Sequence, residues 1–115
     1  MIKGLLRYLE KGVSPFHTAE LAAEEFSRVG FQELSLEGSW QLQKGGCYYV
    51  RAFGSSLFAF RVNRAFGYCQ GFRIGAAHTD WPCLRLKTAP DWEKEGYAGI
   101  NAEVYGGPIL NTWLE

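Results

Sequence analysis

The sequence predicts an α/β fold in which two N-terminal helices are followed by a mixed β-sheet. Three observations carry that expectation. Apolar residues recur at helical spacing through residues 2–13 and again through 15–29. After Leu36 the period changes to two, and aromatic and β-branched runs alternate with glycine-containing breaks. Finally, Phe72-Arg-Ile-Gly-Ala-Ala77 is almost wholly apolar, the makeup of a strand covered on both faces.

Element by element, Ile2, Leu5, Leu6, Leu9 and Val13 form the apolar stripe of a short first helix over residues 2–12, with Gly12 as its stop. Ser14-Pro15 then supplies an N-cap and a proline at the first helical position, where the missing N–H is harmless, and Glu20 suits the positive end of the dipole. A second helix is therefore expected from about 15 to 29. Its buried stripe is read as Ala19, Ala22, Phe26 and Val29, and Gly30 fits a left-handed cap.

Cys47–Phe53 and Leu57–Val62 flank Gly54-Ser55-Ser56 and read as a hairpin, with Tyr48, Val50 and Ala52 facing Phe58, Phe60 and Val62. A glycine-rich break around Gly67 and Gly71 leads into the apolar run 72–77, which ends at His78-Thr-Asp80, where Pro82 stops the ladder. Two more strands are expected at Cys83–Lys87 and Ile100–Tyr105, joined by a polar loop from Thr88 to Gly99. The terminal Gly106–Glu115 carries no stop signal, and no repeat, low-complexity segment or linker interrupts the chain.

The chain has 115 residues, enough for one domain that buries roughly two thirds of its unfolded surface. With 47% hydrophobic and 21% charged residues, it lies far from the composition of disordered chains. Twelve Lys and Arg balance twelve Asp and Glu, so no cationic excess points to nucleic acid or a membrane surface. No apolar run approaches membrane-spanning length, and the N-terminus lacks the pattern of a signal peptide. Cys47, Cys69 and Cys83 form an odd set with no C-x-x-C pair, which suits a reducing, cytoplasmic compartment.

His78 and Asp80 form the sharpest local feature. On an extended segment the two lie on one face with their Cα atoms about 7 Å apart. The carboxylate can then accept a hydrogen bond from one imidazole nitrogen while the other nitrogen binds a metal, fixing the tautomer and raising ligand basicity. Three residues recur by chance, however, and a His and an Asp capping a strand end would look the same. The buried strand before the pair and the Trp81-Pro82 bend after it place the pair where α/β sheets carry their active sites. His17 reads as a cap or surface residue, the cysteines as small buried hydrophobes, and Gly106-Gly107-Pro108 as a turn.

Three blocks carry a family resemblance: Ser14-Pro-Phe-His17, Gly75-Ala-Ala-His-Thr-Asp-Trp-Pro-Cys-Leu-Arg-Leu-Lys87, and Val104-Tyr-Gly-Gly-Pro-Ile-Leu-Asn-Thr-Trp-Leu114. In order and approximate spacing they resemble the N-terminal part of the aspartyl aminopeptidases, cytosolic zinc metallopeptidases that remove acidic residues from peptide N-termini. The resemblance implies that residues 1–115 are the N-terminal part of an α/β metallopeptidase catalytic domain. It further implies that His78 matches a ligand of a two-zinc site, and that Asp80 matches the catalytic-site acid that holds this histidine. Peptide substrates and a large homo-oligomer are implied for the complete enzyme, and the isolated chain is expected to be inactive.

The sequence departs from the family pattern at Trp81, where relatives commonly have a small residue. The family's chain is also several times longer, and its bridging Asp, general-base Glu and remaining ligands lie beyond the matching region. A different class of function, a non-catalytic interaction or self-association module, is the alternative expectation, because exposed strand edges and apolar patches attract partners.

Overall fold

A computed structural model describes residues 2–63 and 71–112. The expectations placed on Gly67 and Cys69, and the terminal Trp113-Leu-Glu115, lie outside the described residues. The chain divides into two units, Met1–Thr79 and Asp80–Glu115.

In the first unit, helix α1 spans Ile2–Lys11 and α2 spans Pro15–Arg28. Ser14 caps α2 in extended backbone geometry: its Oγ accepts from the His17 N–H at 3.4 Å and pairs with His17 Nδ1 at 2.7 Å. Gly30 follows the helix at φ 89°, the left-handed position expected of it. The Tyr8 hydroxyl joins the helices by donating to the Thr18 carbonyl at 3.0 Å.

The buried face of α2 differs in phase from the sequence expectation. Ala19 and Ala23 are buried, Ala22 and Phe26 are half-buried, and Val29 is 60% exposed. Val29 sits in the C-cap, outside the helical phase, so it no longer extends the stripe. For α1 the helix itself is as expected, but Ile2, Leu5, Leu6, Leu9 and Val13 are all more than half exposed.

Strands β1 (Gln32–Glu33), β2 (Cys47–Ala52) and β3 (Ser56–Arg61) form a mixed sheet, with β1 parallel and β3 antiparallel to β2. The hairpin register pairs Tyr48 with Phe60 and Val50 with Phe58, as the alternation predicts. Tyr48, Tyr49 and Val50 are all buried, so β2 is covered on both faces. On one face Phe26 of α2 lies 6.3 Å from Tyr49 between ring centroids. On the other, Phe60 lies 5.6 Å from Tyr48 and 5.8 Å from Trp40. The turn between β2 and β3 places Phe53 and Gly54 at positive φ.

The expected strand at 72–77 does not form: residues 71–78 are irregular and exposed, Phe72 at 85% and Ile74 at 82%. A strand exists through its partners' hydrogen bonds, and among the described residues none pairs with this segment. Its composition therefore reads correctly as sheet-forming while its backbone has no ladder to join.

The second unit is a long antiparallel hairpin of β4 (Cys83–Lys94) and β5 (Tyr97–Tyr105), followed by a single 3-10 turn at Leu110–Thr112. The two expected strands are present, but most of the expected loop from Thr88 to Gly99 is strand. The connection is only Glu95-Gly96, both at positive φ, the backbone of a tight two-residue turn. Pro90, which argued for a loop, sits in an irregularity between Leu86 and Asp91 where the ladder skips register, so its missing N–H breaks no pairing.

Candidate functional site

His78 closes the exposed segment 71–78. The residue after it fixes that segment: Thr79 is half-buried, and its Oγ1 donates to the Ser55 carbonyl in the β2–β3 turn at 2.8 Å. A threonine hydroxyl thus ties down the chain beside a histidine that itself stays at the surface.

Asp80 opens the second unit and is half-buried. Its Oδ2 accepts a 2.5 Å hydrogen bond from the Tyr105 hydroxyl. Tyr105 ends β5 directly opposite Cys83, the first residue of β4, which follows Asp80 by three residues. The Arg85 guanidinium lies over the Tyr105 ring, 4.1 Å from its centroid. The hydrogen bond to Asp80, and then the charge of that carboxylate, raise the Tyr105 pKa above the ordinary phenol value. The phenol therefore remains a protonated donor at neutral pH.

Neither Thr79 nor Tyr105 stands out in the sequence as a supporting residue. The usable signal for Tyr105 was its place at the end of a period-two strand, opposite the residue that follows Pro82. Trp81 is 38% exposed and Pro82 half-buried, and the chain bends at Thr79. His17 is engaged with the Ser14 cap, in line with its reading as a cap residue. Cys47 and Cys83 are free thiols, each half-buried.

A second polar cluster lies within the first unit. Arg51 on β2 donates from Nε to Glu33 Oε1 at 2.7 Å and from Nη1 to Glu20 Oε2 at 2.9 Å, and the Tyr49 hydroxyl donates to Glu33 Oε2 at 3.1 Å. The hydrogen bond from Arg51, assisted by that from Tyr49, holds the Glu33 carboxyl below its ordinary pKa despite some desolvation. This cluster joins α2, β1 and β2 and has the character of a structural tie.

Donor chemistry limits what the described residues can hold. Among them, no group of three or more His, Cys, Asp or Glu is placed to hold a metal ion. An imidazole at His78 and a carboxylate at Asp80 fit part of a zinc site, which needs at least three protein ligands. No helix among the described residues is long and apolar enough to cross a membrane.

Known proteins match the chain closely. The Probable M18 family aminopeptidase 2 of Pseudomonas syringae pv. syringae (strain B728a) is 38% identical over 113 residues, covering 98% of this chain and 26% of that protein. A chain in the cryo-EM structure of the Ape4 and Nbr1 complex superposes with a TM-score of 0.86 at 35% identity, covering 94% of this chain and 21% of the other. Chaetomium thermophilum mApe1 superposes with a TM-score of 0.81 at 29% identity, covering 96% and 26%. This chain thus spans about a quarter of the length of the curated relative it matches. The pattern of the family described as Aminopeptidase I zinc metalloprotease (M18) matches residues 8–115. Sequence blocks, helix and sheet order and family match agree, and the chain belongs to the M18 family of aminopeptidases.

Proposed function

We propose that residues 1–115 are the N-terminal part of the catalytic domain of an M18 zinc aminopeptidase that hydrolyses Asp or Glu from peptide N-termini, and that the chain alone is inactive. The observation that carries this reading is the family match over residues 8–115, which contains the H-T-D segment yet corresponds to about a quarter of a relative's length. In this reading His78 is a zinc ligand and Asp80 orients it as a hydrogen-bond acceptor. The compartment is cytoplasmic, and the complete enzyme is a homo-oligomer acting on peptides.

The donor set supports a partial site. His78 lies at the end of an exposed segment that Thr79 anchors, and Asp80 is held by Tyr105. When bound, zinc supplies Lewis-acid polarisation of the peptide carbonyl and acidifies water towards a pKa of about 7. What this chain contributes is orientation: a ligand imidazole and the carboxylate that sets its tautomer. The remaining ligands and the general base must come from residues the family has outside the matched region.

Complementation tests the reading. This chain is mixed with the remaining part of the Pseudomonas syringae relative, and zinc-dependent release of Glu or Asp from peptides is followed. Restored turnover that His78→Ala abolishes is the expected result. Stoichiometric zinc and turnover by the 115-residue chain alone would show the site to be complete and overturn the fragment reading.

A second reading, an interaction or self-association module, draws on one observation: the apolar side chains of α1 are more than half exposed. It predicts a discrete dimer or complex by light scattering whose mass is indifferent to zinc chelation.

A further inference from the structure

Segment 71–78 ends on the candidate zinc ligand and pairs with no strand among the described residues. Strand pairing therefore does not set where the His78 main chain sits, yet a metal ligand needs a fixed origin. The first unit supplies one at the β2–β3 turn. Phe53, Gly54 and Ser55 connect the paired residues Ala52 and Ser56, so Ser55 lies outside the β2–β3 register. Its carbonyl accepts the Thr79 hydroxyl at 2.8 Å, across 24 residues of sequence. Helix α2 in turn covers the β2–β3 connection: a Cβ built on Gly54 would come within 3.3 Å of Cδ1 of Phe16, the second residue of α2. Gly54 sits at φ 71°, and Phe53 before it at φ 53°. A bulky residue at positive φ is an outlier, and Phe53 is 89% exposed, so packing of its own ring does not account for it. Backbone in such sparsely populated conformations persists where its surroundings fix it, and it gathers at functional sites.

We propose that the β2–β3 turn is the seat of the candidate metal ligand, with Thr79 as a positioning residue that fixes the His78 backbone through the Ser55 carbonyl before any metal arrives. This rests on the reading of His78 as a zinc ligand. The contacts run from Phe16 to Gly54 and from Ser55 to Thr79, which follows His78 in the chain, and all of them lie within the unit Met1–Thr79. A ligand already held in the metal-free protein spares metal binding the entropy of ordering that stretch of backbone. Thr79→Val removes the hydroxyl at nearly constant shape, and Thr79→Ser keeps it.

The test begins with nitrogen-15 relaxation of the backbone amides in the 115-residue chain, without metal. Order parameters of about 0.85 are expected at His78 and Thr79, the value of rigid backbone, against a flexible range below about 0.6. Thr79→Val should lower both towards that range, and Thr79→Ser should restore them. NOEs between Tyr48 and Phe60 establish that the β2–β3 hairpin persists in each variant. The carbonyl carbon-13 resonance of Ser55 should move in Thr79→Val and return in Thr79→Ser, which reads the hydrogen bond itself. The same variants are then placed in the complemented enzyme, and zinc affinity is measured by competition with a chelator. Thr79→Val should weaken binding by about tenfold, the low end of the range for residues that hold a metal ligand, and Thr79→Ser should not.

Order parameters below about 0.6 at His78 and Thr79 in the unaltered chain overturn the proposal without any variant. Values that Thr79→Val leaves unchanged overturn it equally. Unchanged zinc affinity in Thr79→Val, where His78→Ala weakens binding severely, removes Thr79 from the positioning role and leaves the reading of His78 standing. If His78→Ala also leaves zinc affinity unaltered, His78 is no ligand, and the proposal falls with the reading beneath it.

Discussion

Ser14 illustrates how one side chain sets an element in this protein. It caps α2 from extended backbone geometry, and its hydroxyl engages both the N–H and the ring of His17. Ser14→Ala should destabilise the chain by about 1 kcal/mol and lower the melting temperature by about 4 °C, whereas Ser14→Gly should cost only a few tenths of a kcal/mol. Thermal melts by circular dichroism that show equal losses for the two variants would contradict the capping role. At the candidate site, Asp80→Asn in the complemented enzyme should weaken zinc binding or turnover by roughly 10–100-fold, the range usual for a residue that orients a metal ligand. Activity within error of the unaltered enzyme would remove Asp80 from the site. The sequence singles out His78 and Asp80 by their spacing and by the segments that flank them. It does not single out Tyr105, since its relevance comes from a pairing 25 residues away.

Helix α2 and strands β1 and β2 are linked by Arg51, which reaches Glu20 and Glu33 together. Because the folded state lowers the Glu33 pKa, chiefly through the Arg51 hydrogen bond, the unfolded state takes up protons first as pH falls. The contribution is thus fully present above the unfolded glutamate pKa of about 4.3 and disappears as pH falls through the lower folded value. Both partners remain about 40% exposed, so solvent screening keeps the contribution within the roughly 0–1 kcal/mol of surface pairs. Glu33→Gln should flatten the acid limb of stability against pH between about pH 5 and 3, and urea midpoints that fall in parallel for both proteins would refute this. In the β4–β5 hairpin, Gly96 lies at φ 80° beside Glu95 at φ 54°. Gly96→Ala should weaken the hairpin by about 1–2 kcal/mol, visible as lost cross-strand NOEs around Lys94 and Tyr97, while undiminished NOEs would count against a strained turn. The length of this hairpin was hidden in the sequence because Pro90 signals a break, and only the register skip shows how the ladder continues past it.

For the molecule as a whole, the most informative residues are the apolar ones that found no cover. Phe72 and Ile74 have strand composition and stand more than four fifths exposed. Phe72→Ser should therefore change the stability of the 115-residue chain by less than about 0.5 kcal/mol, as for surface substitutions generally. In the complemented enzyme the same change should reduce activity severely, because a strand-forming segment covered there would lose a large apolar contact. Equal tolerance in both settings would mean that segment 71–78 stays uncovered in the working enzyme. The apolar residues of α1 pose the same question about a different surface.

Local rules sufficed for the two helices, the Ser14 cap, the Gly30 stop and the register of the Tyr48–Phe60 hairpin, because each depends on neighbours within a few residues or on a period of two. The H-x-D segment and its family were also legible, being a matter of residue type and spacing. Tertiary structure alone decided which face of α2 is buried, how far β4 runs past Pro90, and that Tyr105 grips Asp80. It also left 72–77 unpaired with any strand among the described residues. The physical reason is common to all four: burial and strand pairing are properties of two surfaces that meet, and a sequence specifies each surface without specifying what it meets.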